Sequence, residues 1–280
     1  MTLSEIKIVA DSSGDLLTLR GTDFAAAPLK IITDQREFVD DCHLDVAEMT
    51  GFLAAYHGRS STACPGPGDW LTAFDHAQCV FCVTITSNLS GSYNAACAAR
   101  EQYLQEHPDR QVYVLDSLSV GPEIQLILEH FRDRILAGDS FEAACAAAEH
   151  YRRSTGLMFM LSSMRNLANN GRVSPLLAKA AGLLGIRAIG KASDQGTLEM
   201  LDKCRGEKKA LQAVTNHLHT LGYQGGAVHI GHCGNEDAAR ALEALLRQDH
   251  PDAAVTIYPC RGLCSFYAEP GGLLIGFEKG

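Results

Sequence analysis

Short apolar runs alternate along the chain with longer stretches whose apolar positions recur at helical spacing. Residues 5–10 read as a strand that ends in Asp11-Ser12-Ser13-Gly14-Asp15. Residues 29–32 and 37–39 read as a hairpin across Asp34-Gln35, and residues 44–56 as a helix. A strand at 79–86 leads through Ser87-Asn88-Leu89-Ser90-Gly91-Ser92 into an Ala-rich helix reaching about residue 107, and a further strand and helix follow at 111–115 and 122–137. This rhythm implies mostly parallel sheets with helices on their faces. A second cycle begins near Gly156, with strands at 157–161, 186–189, 227–230, 254–258 and 273–277 and helices at 164–169, 174–184, 208–221 and 236–247. The expected fold is α/β with two domains, 1–153 and 154–280. No long linker separates them, so they should pack closely around a cleft.

A length of 280 residues with 46% apolar composition is enough for a sizeable core. The net charge of −9 argues against sequence-independent nucleic-acid binding and against a polybasic membrane surface. No apolar run approaches the roughly 18 residues of a spanning helix. The start of the chain carries Glu5 and Asp11 and lacks a basic segment ahead of an apolar one, so no signal peptide and a cytoplasmic location are expected. Of the ten cysteines, Cys79 and Cys82 fall on a strand and should face opposite sides. Cys260 and Cys264, with His232 and Cys233 upstream, do not match the usual zinc spacings, so core thiols in a reducing compartment are expected and no metal.

Four segments have chemical potential. At Ser87–Ser92 a strand ends and a helix begins, where ligands collect in open α/β sheets and where free N–H groups favour an anion. Ser90 there is either part of a small-anion cradle, with Gly91 allowing close backbone approach, or a plain helix cap. In the loop from Ser60 to Trp70, Ser61 and Thr62 offer uncharged hydroxyls in what is otherwise a connector to a helix starting near Asp69. Arg172, in Asn169-Asn170-Gly171-Arg172-Val173-Ser174, faces an anion or partner, or is simply solvated. Tyr267, ahead of Gly271-Gly272, is a hydroxyl donor or a core tyrosine. There is no G-x-S-x-G elbow, P-loop or dinucleotide fingerprint.

The ordered motifs resemble those of the DegV family of fatty-acid-binding proteins over nearly the whole chain. Ile8-Val9-Ala10-Asp11-Ser12-Ser13-Gly14-Asp15-Leu16 is similar to its first strand and loop. Thr62 with Pro67-Gly68-Asp69-Trp70 resembles its Thr-Ser-x-Pro-Ser-Pro-Gly-Asp-Phe loop, and Thr86-Ser87-Asn88-Leu89-Ser90-Gly91-Ser92-Tyr93 its Ser-Ser-x-Leu-Ser-Gly-Thr-Tyr turn. Asp116-Ser117-Leu118-Ser119, Asn170-Gly171-Arg172-Val173-Ser174 and Ile186-Arg187-Ala188-Ile189 resemble later landmarks. The resemblance implies a long-chain fatty acid buried between two α/β domains and no catalysis by this chain. It implies a carboxylate held by Thr62, Ser90 and a backbone N–H near Gly91, and presentation of that carboxylate to a separate fatty-acid kinase that makes an acyl phosphate for phospholipid synthesis.

The chain departs from the family where a His-x-Gly-Pro-Gly segment is usual: here it reads Tyr267-Ala268-Glu269-Pro270-Gly271. Tyr267 can donate one hydrogen bond but does not readily become cationic. Glu269, if close to the head group, would repel it. Ala63-Cys64 likewise replaces Ser-Gln. These departures bear on kinase coupling more than on lipid binding. The competing expectation is a phosphotransferase-like enzyme acting on a small hydroxylated or phosphorylated metabolite.

Overall fold

The computed structural model describes residues 5–176 and 185–280. The helix expected at 174–184 falls mainly outside the described residues.

Four parallel strands make the first sheet: β1 (Ile6–Asp11), β2 (Asp23–Ala27), β6 (Cys79–Thr84) and β7 (Gln111–Asp116), in the order β2-β1-β6-β7. Every residue of β6 is buried because both faces are covered, which is why it reads as a continuous apolar run. On one face Ile6, Ile8, Cys79, Phe81 and Val83 pack against α4 (Pro122–Leu136) and α5 (Phe141–Arg153). On the other, Val9, Val80 and Cys82 pack under α2 (Pro67–Phe74) and α3 (Ser92–Glu106). Cys79 and Cys82 therefore do face opposite sides. The hairpin expected across Asp34-Gln35 forms from β3 (Lys30–Ile32) and β4 (Glu37–Val39), with β5 (Ser61–Ala63) on the other side of β3. Between them lies α1 (Val46–Ala55).

The remaining chain contributes β8 (Thr155–Leu161), α6 (Arg165–Asn169), β9 (Ile186–Ala192), β10 (Leu198–Arg205), α7 (Glu207–Thr220), β11 (Val228–His232), α8 (Glu236–Asp249), β12 (Val255–Pro259), α9 (Gly262–Ala268) and β13 (Leu273–Glu278). Its six strands run β10-β9-β8-β13-β11-β12. The α/β class is as expected, but this second sheet is mixed: only β11 and β12, joined by the crossover helix α8, are parallel. The tight turn Asp194-Gln195-Gly196, with Gly196 at φ +71°, can only join antiparallel neighbours. β2, β5, α5, β10 and α9 were not expected from the pattern. α9 returns to the first half, packing on β3, α1 and the 12–14 turn.

Candidate functional site

A cavity of about 300 Å3 opens where the 61–64 segment, the turn after β6, β8, the 167–172 segment and α9 meet. Its wall is mostly aliphatic, including Leu29, Ile85, Val120, Leu198, Leu263 and Leu274. β8 supplies Leu157, Phe159 and Leu161 from one face, while Met158 and Met160 enter the core beneath α7 and α8 from the other.

The polar lining is sparse and clustered. Thr62 Oγ1 lies 2.8 Å from Tyr267 OH, bridging β5 and α9. The guanidinium carbon of Arg172 is 5.9 Å from the centre of the Tyr267 ring. Arg172 Nε donates to Leu89 O at 3.1 Å and Nη1 to Asn170 O at 2.5 Å, so this half-buried arginine ties the 167–172 segment to the turn bearing Ser90. Gly91 lines the cavity beside Cys64: a Cβ on Gly91 would come within 3.2 Å of the Cys64 sulfur. Thr62, Ser90, Gly91, Arg172 and Tyr267, singled out in the sequence, thus meet in one place. Burial pushes the Tyr267 phenol upward in pKa, opposed by its Thr62 contact and by Arg172, so it stays a neutral hydroxyl.

Ser90 does not cap α3 in the simple way. Gly91 occupies the N-cap position, and Ser90 Oγ accepts from Ser92 N at 3.3 Å one residue further in. Gly91 itself has no side chain to cap the helix. A helix start carries a partial positive charge, which favours an anion beside it.

Asp11 holds this turn in place and was not foreseen in that role. Buried at the end of β1, it accepts from Ile85 N at 2.9 Å, Ser92 Oγ at 2.6 Å, Ser13 N at 3.3 Å and Ser13 Oγ. It therefore locks the end of β6 and the start of α3 to β1. Asp40 does the same for α9: its carboxylate accepts from Gly262 N at 3.0 Å and Leu263 N at 2.9 Å, and a Cβ on Gly262 would collide with it at 2.6 Å.

Glu269 is not among the residues lining the cavity. It is buried, but outside the cavity, accepting from Asn166 N at 3.0 Å and lying 3.9 Å from Arg165 Nη2. Trp70 is likewise buried away from the cavity, against Phe74. Among the described residues lining the cavity there is no His, Asp, Glu or Lys. Among those residues the neutral hydroxyls have no general base beside them. Among the described residues no group of three or more His, Cys, Asp or Glu could hold a metal, and no helix is long and apolar enough to cross a membrane.

The family model described as "Uncharacterised protein, DegV family" matches residues 5–279. A DegV domain-containing protein of Streptococcus pneumoniae is 45% identical over 276 residues, covering 97% of this chain and 98% of that protein. A DegV family protein from Eubacterium eligens, solved loaded with heptadecanoic acid, superposes with a TM-score of 0.96 at 45% identity, covering 98% of this chain and 100% of the other. The Streptococcus pneumoniae Fatty Acid Kinase (Fak) B3 protein, solved loaded with linoleic acid, gives a TM-score of 0.96 at 44% identity, covering 98% and 99%.

Proposed function

The chain belongs to the DegV family, and we propose that it binds one long-chain fatty acid in the cavity above, as a carrier rather than a catalyst. The observation that carries this reading is the division of the lining: a long aliphatic wall, and neutral donors gathered beside the start of α3. Burying an acyl chain of palmitoyl length contributes roughly 10 kcal/mol gross at about 0.8 kcal/mol per methylene, before ordering and association costs. In this reading Thr62, Ser90, Tyr267 and an N–H at Gly91 hold the carboxylate, with Arg172 supplying positive charge nearby. Residues 1–153 carry most of the head-group contacts and residues 154–280 close the acyl wall.

The same head group, at the mouth beside the half-exposed 62–64 and 88–91 segments, is placed for presentation to a separate fatty-acid kinase in the cytoplasm. The likeness to a fatty-acid-kinase B3 protein supports that partner. Tyr267 serves as a neutral donor in such a complex, not as a cation.

Organic extraction of the purified protein followed by mass spectrometry tests the carrier reading. Roughly one fatty acid per chain is expected. A folded sample with no extractable lipid, and no uptake of added hexadecanoic acid, overturns it.

A further inference from the structure

The cavity side of the second sheet has a gap in its row of side chains. Leu157, Phe159 and Leu161 of β8 line the cavity. Phe159 pairs in register with Leu274 of β13 on one side and with Gly190 of β9 on the other. Gly190 pairs in turn with Met200 of β10. Registered partners share a face, so the row across these four strands reads Leu274, Phe159, Gly190, Met200. The opposite face is marked by Met158, Met160 and Ile189, which enter the core beneath α7 and α8. The one position of the row without a side chain therefore lies directly beside Phe159.

The Phe159 ring occupies that gap. A Cβ on Gly190 would lie 2.7 Å from Phe159 Cε2 and closer still to Cζ, the ring atom farthest from its own backbone. Side chains on a strand ordinarily stand roughly perpendicular to the sheet, which would point this ring into the cavity alongside Leu157 and Leu161. Instead it lies across the sheet, over the neighbouring strand. The φ of Gly190 is not positive, so a left-handed backbone is not what calls for glycine there. What the missing side chain provides is space for the ring. A Cβ at this position would also overlap the Glu199 carbonyl oxygen of β10.

We propose that Gly190 is a specificity-determining residue for the acyl chain: by housing the Phe159 ring it keeps that ring out of the cavity and so sets the length of chain that fits. The inference rests on the fatty-acid reading above. A side chain at 190 displaces the ring, and the cavity is the open space beside it. In a space of about 300 Å3, a ring turned inward takes room that methylenes would fill. The wall contributed by Leu29, Ile85 and Leu263 belongs to the close-packed core of the first sheet and does not retreat to compensate. Gly190 does not itself line the cavity. It acts through Phe159, as a positioning residue.

Affinities for dodecanoic, hexadecanoic and icosanoic acids should be measured for the full chain and for its Gly190→Ala, Phe159→Ala and Gly190→Ala/Phe159→Ala variants. Gly190→Ala should lose about tenfold in affinity for hexadecanoic acid relative to dodecanoic acid, the equivalent of about two methylenes left unburied. The double variant has no ring to displace and should regain the parent's ratio or exceed it. A folded Gly190→Ala protein with the parent's ratio overturns the proposal. So does a double variant no better than Gly190→Ala, which would place the fault in the Glu199 contact. If Gly190→Ala does not fold, Phe159→Ala decides: icosanoic acid should gain about tenfold on hexadecanoic acid, and an unchanged ratio overturns the assignment. If the parent binds no hexadecanoic acid, the carrier reading has failed instead.

Discussion

Thr62 and Tyr267 are 205 positions apart in sequence, yet their hydroxyls meet at 2.8 Å. The contact closes the polar end of the cavity by joining the small three-stranded sheet to α9. It also leaves one hydroxyl hydrogen to satisfy the other oxygen and one to aim into the cavity. Tyr267→Phe removes one donor and leaves Thr62 without its partner. Thr62→Ala and Ser90→Ala each remove one uncharged donor. Each substitution should weaken fatty-acid binding by about 1–2 kcal/mol, roughly five- to thirtyfold, with thermal stability nearly unchanged. Displacement of a fluorescent fatty acid reads this directly. Unchanged affinity in all three variants would sink the head-group assignment.

Asp11 acts on the same turn from behind. Its carboxylate receives four donors from three segments, and none of them has another partner placed to replace it. Asp11→Ala strands those donors in a buried site, at a cost of about 2–4 kcal/mol. A clear drop in melting temperature is expected, together with a loss of lipid affinity as the Ser90 turn relaxes. A variant as stable as the parent would show that the turn is held by its own backbone.

How much of this was readable depended on range. The strands β1 and β6 were legible because their apolar runs are bounded by turn residues, and the opposed faces of Cys79 and Cys82 followed from strand alternation. Thr62 and Ser90 stood out only through the order of several short motifs, since a serine before a helix is equally a cap. The acyl wall was not legible: Leu157, Phe159 and Leu161 alternate with Met158 and Met160, and an all-apolar strand gives no sign of which face borders a cavity. β10, a sheet-edge strand with exposed Glu199, Asp202 and Lys203, lacks the apolar run expected of a buried strand. The second sheet's antiparallel order depends on β13 inserting between β8 and β11, a long-range pairing with no local signature.

Asp15 sets a pH dependence. Burial, reinforced by the neighbouring Asp40 charge, raises its pKa to about 7, although Arg261 N donates to it at 2.9 Å. Its other oxygen is buried with no partner. In the unfolded chain the carboxyl releases its proton near pH 4, whereas the folded chain keeps it to about 7. Folding therefore binds a proton across that window. Asp15 lowers stability as pH rises from about 4 to 7 and adds no further slope above it. Asp15→Asn keeps an oxygen for Arg261 N and abolishes the titration. Its stability relative to the parent should rise by roughly 3 kcal/mol between pH 5 and pH 8. Denaturant midpoints at the two pH values decide the matter: a constant difference between the proteins would exclude Asp15 as the titrating group.

Glu269 combines two opposing effects that substitution can separate. Its backbone, at φ +54° and ψ 164°, lies in a region that is essentially glycine's and costs a side-chain-bearing residue about 1–3 kcal/mol. Its carboxylate repays part of that by accepting from Asn166 N at the start of α6, beside Ser163 Oγ, which accepts from Arg165 N at 3.1 Å. Glu269→Ala retains the strain and loses the hydrogen bond, so it should destabilise by about 1–2 kcal/mol. Glu269→Gly loses the same hydrogen bond but relieves the strain, and should be more stable than the alanine variant by at least about 1 kcal/mol. Because the carboxylate lies outside the acyl cavity, both variants should bind hexadecanoic acid as the parent does. Thermal melts of the pair, followed by a binding titration, test both halves: equal melting temperatures would contradict the strain, and a large change in affinity would return Glu269 to the head-group site.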